Sequence, residues 1–404
     1  MTKHNIPAVR FAGFDGEWET SKIADLFAER VESFPEGELL SVTTHRGIKR
    51  FEEIGRHDTS NADKSKYKRV EIGDIAYNSM RMWQGASGVS PYRGIVSPAY
   101  TVLQPIAELD SGFFSFLFKV PSLVSVFKER SQGLTSDTWN LKFPAFSEIE
   151  VTHPALEEQR AISELFADLD ALIEQHRAKH ANLQQTKSAL MQRMFPQDGA
   201  EEPELRLGGY SGRWKRVLLG DTVESFKYGV NAAATDYDGV TKYLRITDLD
   251  ESSGQFGTGL VTSPRAEEET IRDFLLEEGD MVFARTGATV GRSYLFRKSV
   301  GRTVWAGFLI RARFKRNTDP QFVAAYAQTD SYWTYVKLTS QRSGQPGLNS
   351  AEYAAMPITT PPTLEEQCAI GEVFSNLDAL IAAEHRYIAQ LTQAKTALLQ
   401  RMFV

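Results

Sequence analysis

One stretch of forty residues occurs twice in this chain, and it constrains the fold more than any other feature. Residues 156–195 and residues 364–403 align without a gap at an offset of 208, and 23 of the 40 positions are identical. Neither copy contains an internal proline, and apolar residues recur at steps that alternate between four and three. This spacing is the heptad pattern of a coiled coil. The repeat therefore predicts two long amphipathic helices, each the natural partner of the other.

The apolar seam of these helices is interrupted once, where each copy has a lysine, Lys187 or Lys395. A helix of this length extends roughly 55–60 Å at ~1.5 Å per residue. In the second copy, Thr363 and Glu366 have the spacing of a capping box, which the first copy lacks because Ala155 replaces the hydroxyl residue. We expect the seam to pack through Ile162, Phe166, Leu169, Ile173, Leu183, Leu190, Ile370, Phe374, Leu377, Ile381, Ile388, Leu391 and Leu398.

The segments that precede the helices are also related, although more distantly. Residues 13–18 read GFDGEW and residues 209–214 read GYSGRW, and each precedes a short apolar patch. Strand-like runs alternate with Gly, Pro and Ser breaks in both segments, so a mixed α+β, strand-rich fold is expected. The predicted order is a first globular domain over 1–153, a helix over 154–196, a linker over 197–204, a second domain over 205–360 and a helix over 361–404.

Composition excludes several classes of protein. At 404 residues, with 42% hydrophobic and 24% charged residues, the chain resembles an ordinary globular protein of two or more domains. A single cysteine, Cys368, rules out a disulfide framework and suits a reducing compartment. No apolar run approaches the length of a membrane span, and the first residues do not resemble a signal peptide. These features predict a cytoplasmic protein without a membrane segment.

Signatures of catalysis and of resident cofactors are missing from the sequence. There is no Walker phosphate loop, no dinucleotide-binding glycine pattern, no NPP[YF] methyltransferase motif and no PD…[DE]xK nuclease pattern. His176 and His180 have a spacing that can chelate a metal, but the equivalent of His180 is Ile388, which favours packing. Asp170 and Asp378 recur in both helices, where a solvated or partner-facing carboxylate is the simplest interpretation.

Basic residues are clustered in both halves, despite a net charge of −6. Residues 285–316 contain nine Lys and Arg and no acidic residue, residues 46–69 contain eight basic and four acidic residues, and acids are absent between positions 74 and 108. Such clusters suit contacts to phosphates and base edges. The candidate DNA-binding residues are Lys66, Lys68, Arg69, Arg81, Trp83, Gln84, Arg93, Arg130, Gln132, Arg285, Thr286, Arg292, Arg297, Lys298, Arg302, Gln341 and Arg342.

The helix motifs resemble those of the specificity subunits of Type I restriction–modification systems. The resemblance lies in an LEEQ opening after a proline-rich lead, an FxxLDALI core and a KxALxQRMF ending, all present in both copies. It implies a subunit that is not an enzyme. It also implies two target-recognition domains that each read one half of a bipartite, asymmetric DNA site. The two helices would then pair antiparallel, with pseudo-two-fold symmetry, and set the gap between the half-sites.

The same resemblance implies the partners and the place of the chemistry. Besides double-stranded DNA, two modification subunits would dock on the helices and methylate adenine at N6, and restriction subunits would translocate and cleave DNA. S-adenosylmethionine, ATP and Mg²⁺ are then expected on those partners, with no cofactor or metal held by this chain. The seam residues named above would serve either helix packing or partner docking.

Other readings of the residues remain open. A coiled-coil scaffold that binds proteins rather than DNA would share the helices, although it would not require acid-free basic segments in both halves. An unpartnered or silent specificity subunit would share every feature. A fused methyltransferase and recognition chain is disfavoured because its catalytic motifs are missing.

Overall fold

The computed structural model describes residues 5–43, 47–55, 57, 60–135, 138–197, 199–249, 256 and 261–404. The chain divides into two compact units, of which the first comprises Met1–His176 with Tyr387–Val404 and the second comprises Arg177–Arg386. Each unit therefore contains one globular part and a segment of both long helices. The mixed α+β class expected from the sequence is confirmed.

Among its described residues, the globular part of the first unit contains ten strands and four short helices. The strands are β1 (Glu19–Lys22), β2 (Phe27–Glu29), β3 (Leu40–Thr43), β4 (Gly47–Arg50), β5 (Lys68–Val70), β6 (Ile75–Asn78), β7 (Ser87–Val89), β8 (Gly94–Val96), β9 (Tyr100–Pro105) and β10 (Glu150–His153). The helices are α1 (Ile23–Leu26), α2 (Ser111–Leu117), α3 (Pro121–Arg130) and α4 (Phe143–Ser147), and 3-10 turns occur at Phe51–Ile54 and Met82–Gln84. The first long helix, α5, spans Leu156–Met194.

Among the described residues, the globular part of the second unit follows a similar order with one additional short helix. Its strands are β11 (Lys215–Leu218), β12 (Val223–Tyr228), β13 (Ala234–Asp236), β14 (Lys242–Leu244), β15 (Thr262–Pro264), β16 (Met281–Ala284), β17 (Ser293–Leu295), β18 (Thr303–Trp305), β19 (Leu309–Phe314) and β20 (Pro357–Thr360). Its helices are α6 (Leu219–Thr222), α7 (Glu268–Arg272), α8 (Pro320–Tyr326), α9 (Asp330–Thr339) and α10 (Ser350–Ala354), with 3-10 turns at Ile246–Asp248, Gly287–Thr289 and Lys298–Val300. The second long helix, α11, spans Leu364–Arg401.

A four-stranded antiparallel sheet lies at the centre of each unit. Its order is β2-β9-β6-β7 in the first unit and β12-β19-β16-β17 in the second. The registers correspond, with Ile75 opposite Leu103 and Met281 opposite Ala312. The smaller pairs differ, since β5 and β8 run antiparallel whereas β14 and β18 run parallel. The two globular parts therefore share a central sheet and diverge around it.

Aromatic side chains form much of the core of the first unit. The sequence predicts a buried helix over 113–127 that is interrupted near Pro121, and the structure confirms it: α2 ends at Leu117 and α3 begins at Pro121. Proline fits this first helical position because the residue there needs no backbone N–H partner. Phe114 and Phe118 are fully buried, and the Phe114 ring centroid lies 5.3 Å from that of Phe27 on β2. This helix pair anchors the central sheet to α5.

The LEEQ opening of each long helix joins it to two other segments of its unit. Glu158 accepts two hydrogen bonds from Arg10, at 2.7 and 2.6 Å, and Gln159 accepts one from the backbone N–H of Asp110, at 2.9 Å. The second unit repeats these contacts. Arg206 donates two hydrogen bonds of 2.8 Å to the Glu366 carboxylate, and the backbone N–H of Asp319 donates one of 3.0 Å to Gln367. The motif is therefore retained in both copies for a structural reason.

The capping box predicted at Thr363 is half right. The Thr363 hydroxyl accepts a hydrogen bond from the Glu366 N–H at 3.2 Å, as expected. The Glu366 carboxylate does not fold back to the cap residue. It binds the Arg206 guanidinium instead, because a charged, two-point hydrogen bond is stronger than one to a neutral backbone N–H.

The long helices pair antiparallel inside each unit. In the first unit, Phe166 packs on Phe403 with ring centroids 5.7 Å apart, Asp170 accepts a hydrogen bond from Lys395, and His176 packs on Tyr387 at 4.5 Å. In the second unit the sequential contacts are Lys179 with Glu384, Lys187 with Asp378, and Phe195 with Phe374. Along these contacts the residue numbers of the first long helix rise while those of the second fall. The antiparallel pairing that the family resemblance implies is therefore confirmed in both units.

The predicted seam residues lie in this interface or against the globular core beside it. Ile162, Phe166, Ile173, Ile370 and Phe374 are buried, and the remaining positions are half-buried: Leu169, Leu183, Leu190, Leu377, Ile381, Ile388, Leu391 and Leu398. The lysines that interrupt the seam each form an ion pair with the aspartate of the LDALI core of the other helix. Asp170 and Asp378 are therefore pairing residues of the helix interface. A single polar pair in a coiled coil favours one register and orientation over the alternatives.

Reversing the charge of Lys187 is expected to destabilise the second unit, and reversing Asp378 as well should restore part of the loss. The Lys187→Asp variant places two carboxylates together, with side chains that are 19% and 33% exposed. We expect a coupling free energy of about 1 kcal/mol in the double-mutant cycle with Asp378→Lys. Urea unfolding of the four proteins measures it. Additive effects would show that the pair does not contribute to helix register.

The first unit is closed by residues from opposite ends of the sequence. The Val9 N–H donates to the carbonyl of Arg401 at 2.9 Å, and the equivalent bond in the second unit joins Leu205 to Arg193 at 2.8 Å. Phe403 packs on Trp18, as Phe195 packs on Trp214. The GFDGEW and GYSGRW segments thus have the same role, which is to receive the end of a long helix.

Candidate nucleic-acid interface

Each unit has a loop cluster at the end of its central strand that gathers several of the predicted contact residues. We call residues 78–86, 97–99, 131–135 and 138–141 the first tip, and residues 284–292, 306–308 and 340–348 the second tip. The Ser79 N–H donates to the carbonyl of Ala99 at 3.4 Å, and Leu141 donates to the Ser79 carbonyl at 2.8 Å. In the second tip, the backbone N–H of Arg285 donates to the Phe308 carbonyl at 3.0 Å, and the backbone N–H of Leu348 donates to the Arg285 carbonyl at 2.8 Å. The tips therefore share one backbone arrangement.

The first tip presents aromatic and amide side chains on this backbone. Trp83 donates its indole N–H to the Met80 carbonyl at 3.1 Å, and its ring meets that of Trp139 edge-on at 5.3 Å. Lys128 lies over the Trp139 ring at 5.5 Å. The side chains of Arg81, Gln84 and Gln132 are also exposed in this tip, and Arg130 is exposed at the end of α3, directly before it. These are groups that can contact phosphates and base edges.

The second tip presents a different set. The Arg285 guanidinium lies 4.9 Å from the centre of the Tyr228 ring, and Phe308 is 58% exposed. Thr286 bridges to Gly347, which holds the two loops of the tip together. Gln341 is exposed, whereas Arg342 is tied to the carboxylate of Glu352 and to two backbone carbonyls. Arg292 is half-buried in the same tip.

The other predicted contacts of the first unit lie near β5, where acids accompany them. Lys68 pairs with Glu29 at 3.0 Å. Arg69 pairs with Glu32 at 2.9 Å. Its guanidinium donates hydrogen bonds to Glu32 and to Glu71, and these bonds raise the pKa of Arg69. Arg93 pairs with Glu71 at 3.0 Å, and Lys66 is exposed. Arg46, Arg56 and Asp58, which contribute to the charge count of residues 46–69, lie outside the described residues.

The acid-free stretch over 285–316 does not form one positive surface. Arg297 pairs with Glu278 at 3.4 Å and reaches Ser375 of α11, and Arg302 pairs with Glu268 at 2.6 Å. Lys298 is exposed on a 3-10 turn. The partners come from elsewhere in the chain, so a count of local acids misses them. A role for Arg297, Lys298 and Arg302 in DNA binding remains a prediction.

Two other arginines of this stretch lie beside the buried carboxylate of Asp280. Arg313 forms two hydrogen bonds to Asp280, at 2.8 and 2.7 Å, and this carboxylate raises its pKa. Arg311 is 7% exposed, and burial lowers its pKa. Asp74 has the position of Asp280 in the first unit and binds Arg30 at 2.7 and 3.1 Å. The sequences Gly73-Asp74 and Gly279-Asp280, which occur at corresponding positions of the two units, therefore mark a buried carboxylate paired with an arginine, which no local pattern revealed.

A second candidate surface is the outward side of the long helices, opposite the seam. Several positions there are exposed and identical in both copies: Glu157, Glu164, Ala171, Ala181, Gln185, Ala189, Gln192 and Arg193, with Glu365, Glu372, Ala379, Ala389, Gln393, Ala397, Gln400 and Arg401. A helix face that contacts only solvent does not require particular side chains, so its residues can be substituted with little effect on stability. Identity on both outward faces therefore points to a shared constraint other than packing within the unit.

Among the described residues, no helix is long and apolar enough to cross a membrane. The described part of the chain also contains no cluster of three or more His, Cys, Asp or Glu side chains that could hold a metal ion. The ring centroid of His180, one of the two histidines with metal-chelating spacing, lies 6.0 Å from that of His385.

Comparisons with known proteins agree on one family. The family model described as "Type I restriction modification DNA specificity domain" matches twice, over residues 15–185 and 212–393. The Escherichia coli K12 protein named Type I restriction enzyme EcoKI specificity subunit is 21% identical over 318 residues, which is 75% of this chain and 67% of that protein. The Methanocaldococcus jannaschii protein named Type I restriction enzyme MjaVIII specificity subunit is 21% identical over 367 residues, covering 83% and 81%.

A solved structure supports the same fold. The crystal structure of a Type I restriction–modification S subunit from M. genitalium superposes with a TM-score of 0.67 and 16% identity, and the match covers 99% of both chains.

Proposed function

The chain belongs to the family of Type I restriction–modification DNA specificity subunits, the non-catalytic recognition subunits of enzymes whose catalysis resides on partner subunits, and from this we propose its specific role. The first and second recognition domains, residues 1–153 and 205–360, each read one half of a bipartite DNA target. The subunit thereby directs methylation and cleavage by its partners in the cytoplasm.

The observation that carries this proposal is the pair of tips. Both have the same backbone arrangement, yet the side chains at equivalent positions differ: Ser79 against Arg285, and Ala99 against Phe308. Base edges are distinguished by donor, acceptor and methyl patterns, so different side chains on one scaffold suit two different sequences. An asymmetric target follows from two related but unequal domains.

Partner docking is proposed at the outward faces of the long helices. The same exposed residues occur on both helices, so two copies of one partner can bind in equivalent ways. We propose that these partners are two modification subunits, which bring S-adenosylmethionine. Restriction subunits, which bring ATP and Mg²⁺ chemistry, join the same assembly.

The test is co-expression with a modification subunit encoded beside this chain, followed by sequencing of host DNA for N6-methyladenine. We expect one two-part motif that appears only when this chain is present. Exchanging residues 205–360 for those of a relative with another target should change one half of the motif, and exchanging residues 1–153 should change the other half.

Other outcomes would select the alternatives. A stable complex without methylation would favour a silent subunit. If the chain binds other proteins, forms no complex with modification subunits and does not bind DNA, a scaffold would be the better description.

A further inference from the structure

Arg285 differs from several other arginines of the second unit in how its charge is held. Arg297, Arg302, Arg313 and Arg342 each pair with a carboxylate. In the part of the chain that the structure describes, no carboxylate or carbonyl binds the Arg285 guanidinium, which instead lies 4.9 Å from the centre of the Tyr228 ring. Its N–H donors are therefore available while its position is restrained.

The restraint extends to the backbone and to the supporting ring. The Arg285 N–H donates to Phe308, and the Arg285 carbonyl accepts from Leu348, so both sides of this residue are fixed. The Tyr228 hydroxyl donates a hydrogen bond to the Ser350 hydroxyl at 3.2 Å and accepts one from the Ser350 backbone N–H at 3.1 Å. An arginine stacked on a fixed ring loses less conformational freedom on binding than a free side chain.

The neighbour of Arg285 on the second tip is Phe308, which lies at the turn between β18 and β19 and is 58% exposed. The backbone hydrogen bond between the two residues places an exposed phenylalanine on the segment paired with Arg285, so the tip offers both an apolar ring and a planar donor pair. The equivalent residues of the first tip are Ser79 and Ala99, which line a cavity of about 250 Å³ together with Asn140. The first tip therefore lacks this combination.

We propose that Arg285 is a specificity-determining residue that reads a guanine in the half-site of residues 205–360, with Phe308 packing against the adjoining base. Arginine pairs with the O6 and N7 acceptors of guanine in the major groove through two parallel hydrogen bonds, and no other base offers these two acceptors. This inference rests on the proposed function, because it names one base contact within that half-site.

The experiment uses the assembled complex with its modification subunits and DNA duplexes that carry every base, one at a time, at each position of the second half-site. Wild-type protein should prefer G at one position over the other bases by about 5- to 150-fold in binding. Arg285→Ala should abolish that preference while the other positions and the whole first half-site keep theirs. Arg316→Ala, which removes an exposed arginine of the same unit, should leave every preference unchanged.

Three results separate the possibilities. If Arg285→Ala weakens binding equally for all sequences and lowers the salt slope by about 1, Arg285 contacts a phosphate and the inference is wrong. If every preference survives in Arg285→Ala, the second tip does not read bases at this residue. If the wild-type complex has no sequence preference at all, the proposed function fails before the question of Arg285 arises.

Discussion

Replacing Glu366 by alanine is expected to lower the free energy of unfolding of the second unit by about 3 kcal/mol. Glu366 is completely buried, and its two oxygens bind Arg206, which also donates to the carbonyl of Gly212 at 2.7 Å. Removal of one partner leaves a guanidinium that is 15% exposed without its charge partner. Breaking a buried pair in this way costs about 3–5 kcal/mol, and the partial exposure of Arg206 places the loss at the lower end.

Urea unfolding of the whole chain measures this loss. The matched control is Glu365→Ala, at the exposed neighbouring position, where a change within about 0.5 kcal/mol is expected. The double variant Arg206→Met with Glu366→Leu should lose less than Glu366→Ala, because it leaves no unpaired charge. A Glu366→Ala loss under about 1 kcal/mol would contradict the structural role given to LEEQ.

Phe403→Ala is expected to destabilise the first unit by about 3–5 kcal/mol. Phe403 is 5% exposed, and its ring lies 5.2 Å from Phe113, 5.7 Å from Phe166 and 6.4 Å from Trp18, measured between centroids. Alanine would leave a cavity among these rings, and the loss includes both the buried area and the contacts across it.

The control for this variant is Leu380→Ala on α11 in the second unit, where the side chain is 50% exposed and little is expected to change. Phe195→Ala should destabilise the second unit to a similar degree, because Phe195 packs on Trp214, Phe322 and Phe374 in the equivalent way. Thermal unfolding of the variants tests both. Equal midpoints for Phe403→Ala and Leu380→Ala would show that the first unit does not depend on this ring.

Features that depend on neighbouring residues were predicted well. The seam of the long helices, the break at Pro121 and the Thr363 cap follow from periodicity and from the special backbone of proline. The pairing itself follows because two copies of one amphipathic helix have a common apolar face to bury, whereas the antiparallel orientation was implied by the family resemblance. The gap at Lys187 and Lys395 was visible as an anomaly, and its ion pairs explain it.

The distribution of charge was predicted poorly, and the reason is distance along the chain. Arg302 meets Glu268 and Arg313 meets Asp280, both more than thirty positions away, so an acid-free stretch of sequence is partly neutralised after folding. Arg10 and Arg206 lie outside every motif that was singled out, yet they hold the buried glutamates of LEEQ.

The repeat by itself predicts the order of domains and long helices and the pairing of the helices, and the helix motifs carry the resemblance to the family, because heptad spacing and short motifs are properties of short segments. The choice of which cations stay available for DNA depends on folding, because a charge is free or paired according to what the chain brings within a few ångströms of it. Arg285 and Arg297 are similar in sequence context, and only the packing of Tyr228 against one and Glu278 against the other separates them.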